Sequence, residues 1–197
     1  SSNILRIITK SSVIPWLLCF NKQDFDSLCG EKKNTHMLSL VGLDKELFSK
    51  ELREYIKKGE KEKINARYKC SHRNRWYDVP IVKSGEACFF KRYHHIPRVI
   101  LNKEQIHTTD IIYNIRFYPD YDPASFVFCF YNSLTLALCE YNGRFYGGGV
   151  GELVPSEFKS IALPYKKIRK QSVEKLDRLL RDKADMDEII DYVDSIV

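Results

Sequence analysis

The chain has 197 residues, 44% of them hydrophobic, 13% aromatic and 29% charged, with only 9 Gly and 7 Pro. That composition excludes disordered, collagen-like and disulfide-scaffold proteins and leaves one globular domain as the expectation. The 32 Lys and Arg against 26 Asp and Glu give a net charge of +6, and the excess is local, because residues 57–98 carry twelve basic residues against four acidic ones.

Ile4 to Ile8 and Val13 to Phe20 read as two short strands, rich in β-branched and apolar residues between polar turns. From Asp44 the apolar residues Leu47, Phe48, Leu52, Tyr55 and Ile56 recur at helical spacing and Gly59 offers a stop, which predicts a helix with one buried stripe. Pro97 to Asn102 and Asp110 to Phe117 read as strands around a polar turn, with Asn102 and Asp110 placed to hold that turn through backbone hydrogen bonds. Asp122 before Pro123 is an N-cap and first helical residue, so the apolar run that follows predicts a single buried helix from Pro123 to Tyr141. Gly147, Gly148, Gly149 and Gly151 make residues 145–154 a poor helix, and Pro155 favours extended backbone before it. Ser172 and Asp185 read as caps of two C-terminal helices, with stripes Val173, Leu176, Leu179, Leu180 and Met186, Ile189, Ile190, Val193. The expected class is α+β: a single mixed domain over 1–197 with short strands, a buried central helix and a helical tail over 172–197.

The six cysteines lie far apart with no Cys-x-x-Cys pair, the pattern of reduced thiols in a cytoplasmic protein. The longest uncharged stretch, residues 123–139, contains Ser125, Asn132, Ser133 and Thr135, and is too short and too polar to span a bilayer. No secretory signal opens the chain, and its first residue is Ser, so it reads as a piece of a longer protein.

The basic segment, from Arg67-Tyr-Lys69 through Arg73-Asn-Arg75-Trp76-Tyr77 to Lys91-Arg92-Tyr93-His94-His95, interleaves cations with aromatics and points to a polyanion. A solvated basic face is the plainer reading of the same charge. The glycine run lacks the Gly-Lys-Ser/Thr ending of a phosphate loop. Its glycines serve either an unusual backbone geometry or close approach of a macromolecular ligand. Cys70, His72, Cys88, His94 and His95 lack the paired spacing of a zinc site. Asp120 and Glu157-Phe-Lys159 imitate the carboxylates of metal-dependent nucleases. Asp120, however, sits before a helix cap and Glu157 at a short helix start, so no metal is expected. Trp76 reads as core more readily than as a base-stacking platform.

Beyond these single signals stands an ordered series of motifs: Thr35-His-Met-Leu38, Tyr55-Ile-Lys-Lys-Gly-Glu60, Ile64-Asn-Ala-Arg-Tyr-Lys-Cys70, Arg75-Trp-Tyr-Asp-Val-Pro80, Pro97-Arg-Val-Ile-Leu-Asn102, Thr108-Thr-Asp110, Tyr131-Asn-Ser-Leu-Thr135 and, above all, Gly143-Arg-Phe-Tyr-Gly-Gly-Gly-Val-Gly-Glu-Leu-Val-Pro-Ser-Glu157. Their order from Lys33 onward resembles the C-terminal target-recognition domain of TaqI-like adenine-specific DNA methyltransferases of restriction-modification systems. The resemblance implies that the chain grips and reads double-stranded DNA. In such enzymes an N-terminal domain, in the same polypeptide or a separate subunit, binds S-adenosylmethionine and carries an Asn/Asp-Pro-Pro-Tyr/Phe motif. This chain has no Pro-Pro dipeptide, so no cofactor and no catalysis are expected of it alone. The expected DNA-binding residues are Arg67, Lys69, Arg73, Arg75, Lys91, Arg92, His94, Arg98, Arg144, Tyr146, Gly147, Gly148 and Gly149. Two further readings stand beside this one: a protein-docking specificity subunit using its two C-terminal helices, and a compact metal nuclease using Asp120 and Glu157.

Overall fold

The computed structural model describes residues 3–197. In chain order its strands and helices are β1 (Ile4–Ile8), β2 (Cys19–Phe20), α1 (Lys22–Gly30), β3 (His36–Leu38), α2 (Lys50–Lys61), α3 (Tyr68–Ser71), β4 (Ala87–Phe90), β5 (Arg92–Tyr93), β6 (Val99–Asn102), β7 (His107–Thr108), β8 (Ile112–Ile115), α4 (Pro123–Cys129), α5 (Ser133–Asn142), β9 (Arg144–Tyr146), β10 (Val150–Glu152), α6 (Pro155–Lys159), α7 (Lys170–Arg181) and α8 (Met186–Asp194). The class is α+β. Within it the chain packs as two compact units, a smaller one of residues up to Arg6 with His36–Val82 and a larger one of Ile7–Thr35 with Lys83–Val197.

In the smaller unit the first half of β1 pairs antiparallel with β3, Leu5 opposite Met37. The side chain of Ser49 caps α2 by accepting from the Leu52 amide, three residues along. Leu40, Phe48 and Ile56 are its buried apolar residues, with Leu52, Trp76 and Tyr77 packed against them. So small an apolar centre leaves much of the organisation to polar ties. Arg75 supplies one: its Nε and Nη2 grip both oxygens of Asp78 at 2.7 and 3.0 Å, and Nη1 and Nη2 donate to the carbonyls of Leu43 and Leu40 at 2.7 and 2.8 Å. Gly59 does not stop α2, which continues to Lys61. A Cβ there would lie 2.4 Å from Cη2 of Trp76, so the glycine is what lets the indole pack on the helix.

The larger unit is built on a four-stranded sheet in the order β2-β6-β4-β8, with β2 parallel to β6 and β4 antiparallel to both its neighbours. Successive side chains of a strand point to opposite faces, and here both faces are covered. Ala87 and Phe89 of β4, with Val99 and Leu101 of β6, join the cluster formed with α4, α5, α7 and α8. Cys88, Phe90 and Ile100 join Phe25 and Leu28 of α1 on the other side. The second half of β1 pairs parallel with β7, Ile8 opposite Thr108. A separate sheet, β5-β10-β9, carries the glycine run.

Several expectations change. Residues 13–20 are not one strand: Ser11–Val13 is a 3-10 turn and only Cys19–Phe20 pairs. The helix predicted over 123–141 is two, because Asn132 turns its side chain back on the chain. Its Oδ1 accepts from the Thr135 amide at 2.9 Å while Nδ2 donates to the Cys129 carbonyl and to Thr135 Oγ1. Tyr131, fully buried beside the break, donates its hydroxyl to the Val99 carbonyl at 2.8 Å. Asn102 does hold its turn: Nδ2 donates to Gly85 and Ile106 carbonyls and Oδ1 accepts from the Ile106 amide. Asp185 caps α8 through the Asp187 amide, whereas α7 begins at Lys170, ahead of Ser172, with no side-chain cap. The stripes of both tail helices, Val173, Leu176 and Leu180 with Ile189 and Val193, lie in the unit's own core, so they are not a free docking face.

A charged knot ties that tail to the opposite end of the chain. Arg181 grips both oxygens of Asp24 at 2.7 and 2.9 Å, Asp177 at 2.8 Å and the Cys19 carbonyl at 2.8 Å. Asp177 in turn accepts the Leu18 and Cys19 amides at 2.8 Å. Replacing Arg181 by Met leaves a carboxylate that is 9% exposed without its cation, and we expect a loss of about 2 to 4 kcal/mol, read by urea unfolding. A change within about 0.5 kcal/mol would show the knot to be dispensable.

Candidate nucleic-acid interface

The expected DNA-binding residues fall into both units. Arg67, Lys69, Arg73 and Arg75 belong to the smaller one, and Lys91, Arg92, His94, Arg98, Arg144, Tyr146 and Gly147–Gly149 to the larger. With Arg6 included, the smaller unit carries twelve Lys/Arg against seven Asp/Glu, while the larger carries twenty against nineteen. The net positive charge therefore resides almost wholly in the smaller unit, although it has fewer residues.

Within that unit the four basic residues differ in how far they are committed. Arg67 and Lys69 are exposed on either side of Tyr68, which is 80% exposed and lies against the His72 ring at 4.6 Å between centroids. Arg73 donates to the Trp76 carbonyl at 3.2 Å. Arg75 has its guanidinium engaged by Asp78 and two carbonyls and lies 5.3 Å from the Tyr77 ring centre. Its hydrogen bond to Asp78 pushes its pKa further up, so it is fixed as a cation.

In the larger unit the sheet β5-β10-β9 brings three expected residues together, Arg92, Arg144 and Tyr146. Arg92, Glu152 and Arg144 sit opposite one another across the three strands, and Tyr93, Gly151 and Phe145 form the next row. Glu152 is buried and accepts from Arg92 Nε at 2.7 Å, with the Lys91 ammonium 3.6 Å away. The Arg92 hydrogen bond, with support from Lys91, holds the Glu152 carboxyl below its ordinary value against the effect of burial. Arg144 donates to Glu157 Oε1 at 2.6 Å, and the other oxygen of Glu157 accepts the Val154 amide at the start of α6. Glu157 is thereby a helix cap and an arginine holder. No cluster of three or more His, Cys, Asp or Glu placed to hold a metal occurs among the described residues.

The glycines divide by purpose. Gly148 and Gly149 have φ of +87° and +73°, in the turn between β9 and β10, where an L side chain is strained. Gly147 faces open space with no such dihedral. Gly151 is a packing glycine: a Cβ there would lie 2.4 Å from Cε2 of Tyr93. The turn at 147–149 and the flanking Phe145 and Tyr146, 57% and 50% exposed, form an open hairpin end beside Arg144.

Arg98 departs furthest from the expectation of a phosphate or base contact. Its guanidinium lies 4.7 Å from the ring centres of both Trp16 and Phe90 and donates to the Ile14 and Pro15 carbonyls, and burial pushes its pKa down. His94 and His95 stay exposed. What sequence reasoning missed were the holders Glu152 and Glu157 and the aromatic walls Trp16 and Phe90. Only the alternation of Arg-x-x-x-x-x-x-x-Glu across the glycine run (Arg144 to Glu152) signals a cross-strand ion row, and it is too short to stand out.

Alanine at three glycines separates these purposes. Gly151→Ala should cost about 1 to 3 kcal/mol through overpacking on Tyr93, Gly148→Ala about 1 to 2 kcal/mol through its dihedral, and Gly147→Ala under about 0.5 kcal/mol. Thermal melts read all three, and an equal loss at 147 and 151 would refute the division. Glu152 gives a pH signature: because its folded-state pKa is depressed, its contribution is present above the ordinary carboxylate range. That contribution is lost as pH falls below it, so acid should unfold the wild type earlier relative to neutral pH than it does Glu152→Gln.

Comparison with curated proteins finds no match. The whole chain, residues 1–197, matches the family model described as Type II methyltransferase M.Eco57I, C-terminal domain. No helix among the described residues is long and apolar enough to cross a membrane. With the match running through both compact units, the chain belongs to the C-terminal-domain family of M.Eco57I-type Type II methyltransferases.

Proposed function

We propose that this chain is the target-recognition part of an adenine-specific, S-adenosylmethionine-dependent DNA methyltransferase of the TaqI-like kind, acting on double-stranded DNA in the cytoplasm of a restriction-modification host. The observation that carries the reading is the family match over the full 197 residues. The charge distribution supports it. The smaller unit, with most of the net positive charge, is suited to sequence-independent attraction of the phosphate backbone. The hairpin end with Arg144, Tyr146 and three turn glycines is suited to close approach and base reading. Arg67, Lys69, Lys91, Arg92 and His94 remain the candidates for phosphate contact. Arg75, paired with Asp78, contributes by fixing its surroundings, and Arg98, which has no carboxylate partner, by its charge, neither by reaching out.

Methyl transfer itself belongs to a catalytic domain, in the same polypeptide or a separate subunit. The Asn/Asp-Pro-Pro-Tyr/Phe motif that receives an extruded adenine is absent from these residues. Tritium transfer from S-adenosylmethionine to DNA by this chain alone should stay at background, and measurable transfer would reject the division of labour.

Duplex binding tests the reading directly. With about four to six phosphates neutralised, the log–log dependence of affinity on salt should have a slope of roughly −4 to −5. Replacing Arg67 and Lys69 together by Ala should reduce its magnitude by about two, equally for all sequences. A slope near zero in the parent chain, measured by anisotropy of a labelled duplex, would sink the assignment.

A further inference from the structure

A groove of about 520 Å³ lies within the larger unit, walled in part by Trp16, Arg92, His94, His95 and Arg98. Its wall carries two arginines and two histidines and no carboxylate. Arg98 is the unusual member. Arg75, Arg92, Arg144 and Arg181 each grip an Asp or Glu, but Arg98 has only two backbone carbonyls and two aromatic faces, and its buried Nε has no hydrogen-bond partner. Carbonyl dipoles and ring faces orient a guanidinium without cancelling its charge. A half-buried charge lacking a counter-ion is costly, and it projects a positive potential into the groove beside it.

The rim supplies donors. Arg92 is held through Nε by Glu152, and its two terminal nitrogens make no hydrogen bond among the described residues. His94 and His95 are exposed, and the Ser12 hydroxyl lies on the same wall. Val150, where the glycine turn rejoins β10, also lines the groove, so the groove opens beside the hairpin end. Several convergent donors around an uncompensated cation suit a tetrahedral oxyanion with acceptor oxygens on every side.

We propose that this groove is a phosphate site and that it takes a backbone phosphate of duplex DNA, with Arg98 as a half-buried charge behind it and Arg92 and the two histidines as the contacting donors. The proposal rests on the DNA-binding reading above. It gives Trp16 and Ser12, which lie outside the basic segment, a purpose at the same site.

The test pairs the Trp16 indole resonance with salt-dependent duplex binding of the full chain. A titrated duplex should shift the Trp16 indole N–H. The double variant Arg92→Gln with His95→Gln should weaken binding about tenfold and reduce the magnitude of the salt slope by about one. Ser12→Glu places a carboxylate on the exposed wall without disturbing the core and should do the same, with thermal melts confirming that both variants fold. Inorganic phosphate or adenosine monophosphate shifting Trp16 at lower concentration than duplex would assign the site to a free phosphate and overturn the backbone proposal. Normal duplex binding with unmoved Trp16 and unchanged slopes in both variants would overturn the groove while leaving DNA binding intact. Absence of duplex binding by the parent chain would overturn both.

Discussion

Burial of the β2-β6-β4-β8 sheet on both faces is the constraint around which the larger unit is arranged. A strand covered on both sides has no solvent face on which to place polar residues, and β4 accordingly reads Ala-Cys-Phe-Phe, all four buried. Covering both faces requires α1 on one side and the four helices α4, α5, α7 and α8 on the other. Polar groups drawn into these layers must be matched there. That is the reason for the Asn102 turn, the Tyr131 hydroxyl on Val99 and the Asn132 side chain turned onto its own backbone. The hairpin sheet then has a fixed base, since the Leu153 amide following β10 donates to the Lys91 carbonyl beside β5 at 2.9 Å.

What could be read from the sequence was what periodicity and capping express. The stripes of α7 and α8, the caps Asp122 and Asp185 and the strands β6 and β8 all carry local signals, whereas the stripe expected from Asp44 fails in part, because α2 starts only at Lys50 and Leu47 and Tyr55 are exposed. β4 carried none, because burial on both faces removes the alternation by which a strand is recognised. The break between α4 and α5 was hidden for a different reason: one Asn inside an apolar run looks like a polar spot on a helix until its side chain finds the backbone. Among the candidate site residues the charge was legible and its use was not. Arg75 and Arg98 find their carbonyl partners 35 and 84 residues away, which no local pattern encodes.

The two arginines also show why a basic segment is a poor map of a binding surface. Residues 57–98 form one run of charge in the sequence, yet the chain passes from one compact unit to the other between Val82 and Lys83. Part of that run stays exposed, part is held by Asp78 and Glu152, and one half-buried guanidinium lies against two aromatic rings. Formal charge counts these alike, although a guanidinium paired with a carboxylate loses most of its field and some of its donors, while an exposed lysine keeps both.

The Arg181 knot has a bearing on how the protein is made. Arg181 lies 157 residues beyond Asp24, and Asp177 lies 159 beyond Leu18, so the N-terminal edge of the central sheet gains its anchor only when α7 has been translated. On a ribosome the segment from Ile7 to Thr35 emerges early with Leu17, Phe20 and Phe25 to hide until β4, β6 and β8 follow, and with Leu18 to hide until α7 and α8 follow later still. Contacts of such sequence separation close slowly, which makes the growing chain a client for holding chaperones until α7 and α8 appear. The smaller unit needs nothing later than Val82. It can be complete on the nascent chain while its larger neighbour is still an open, aggregation-prone sheet.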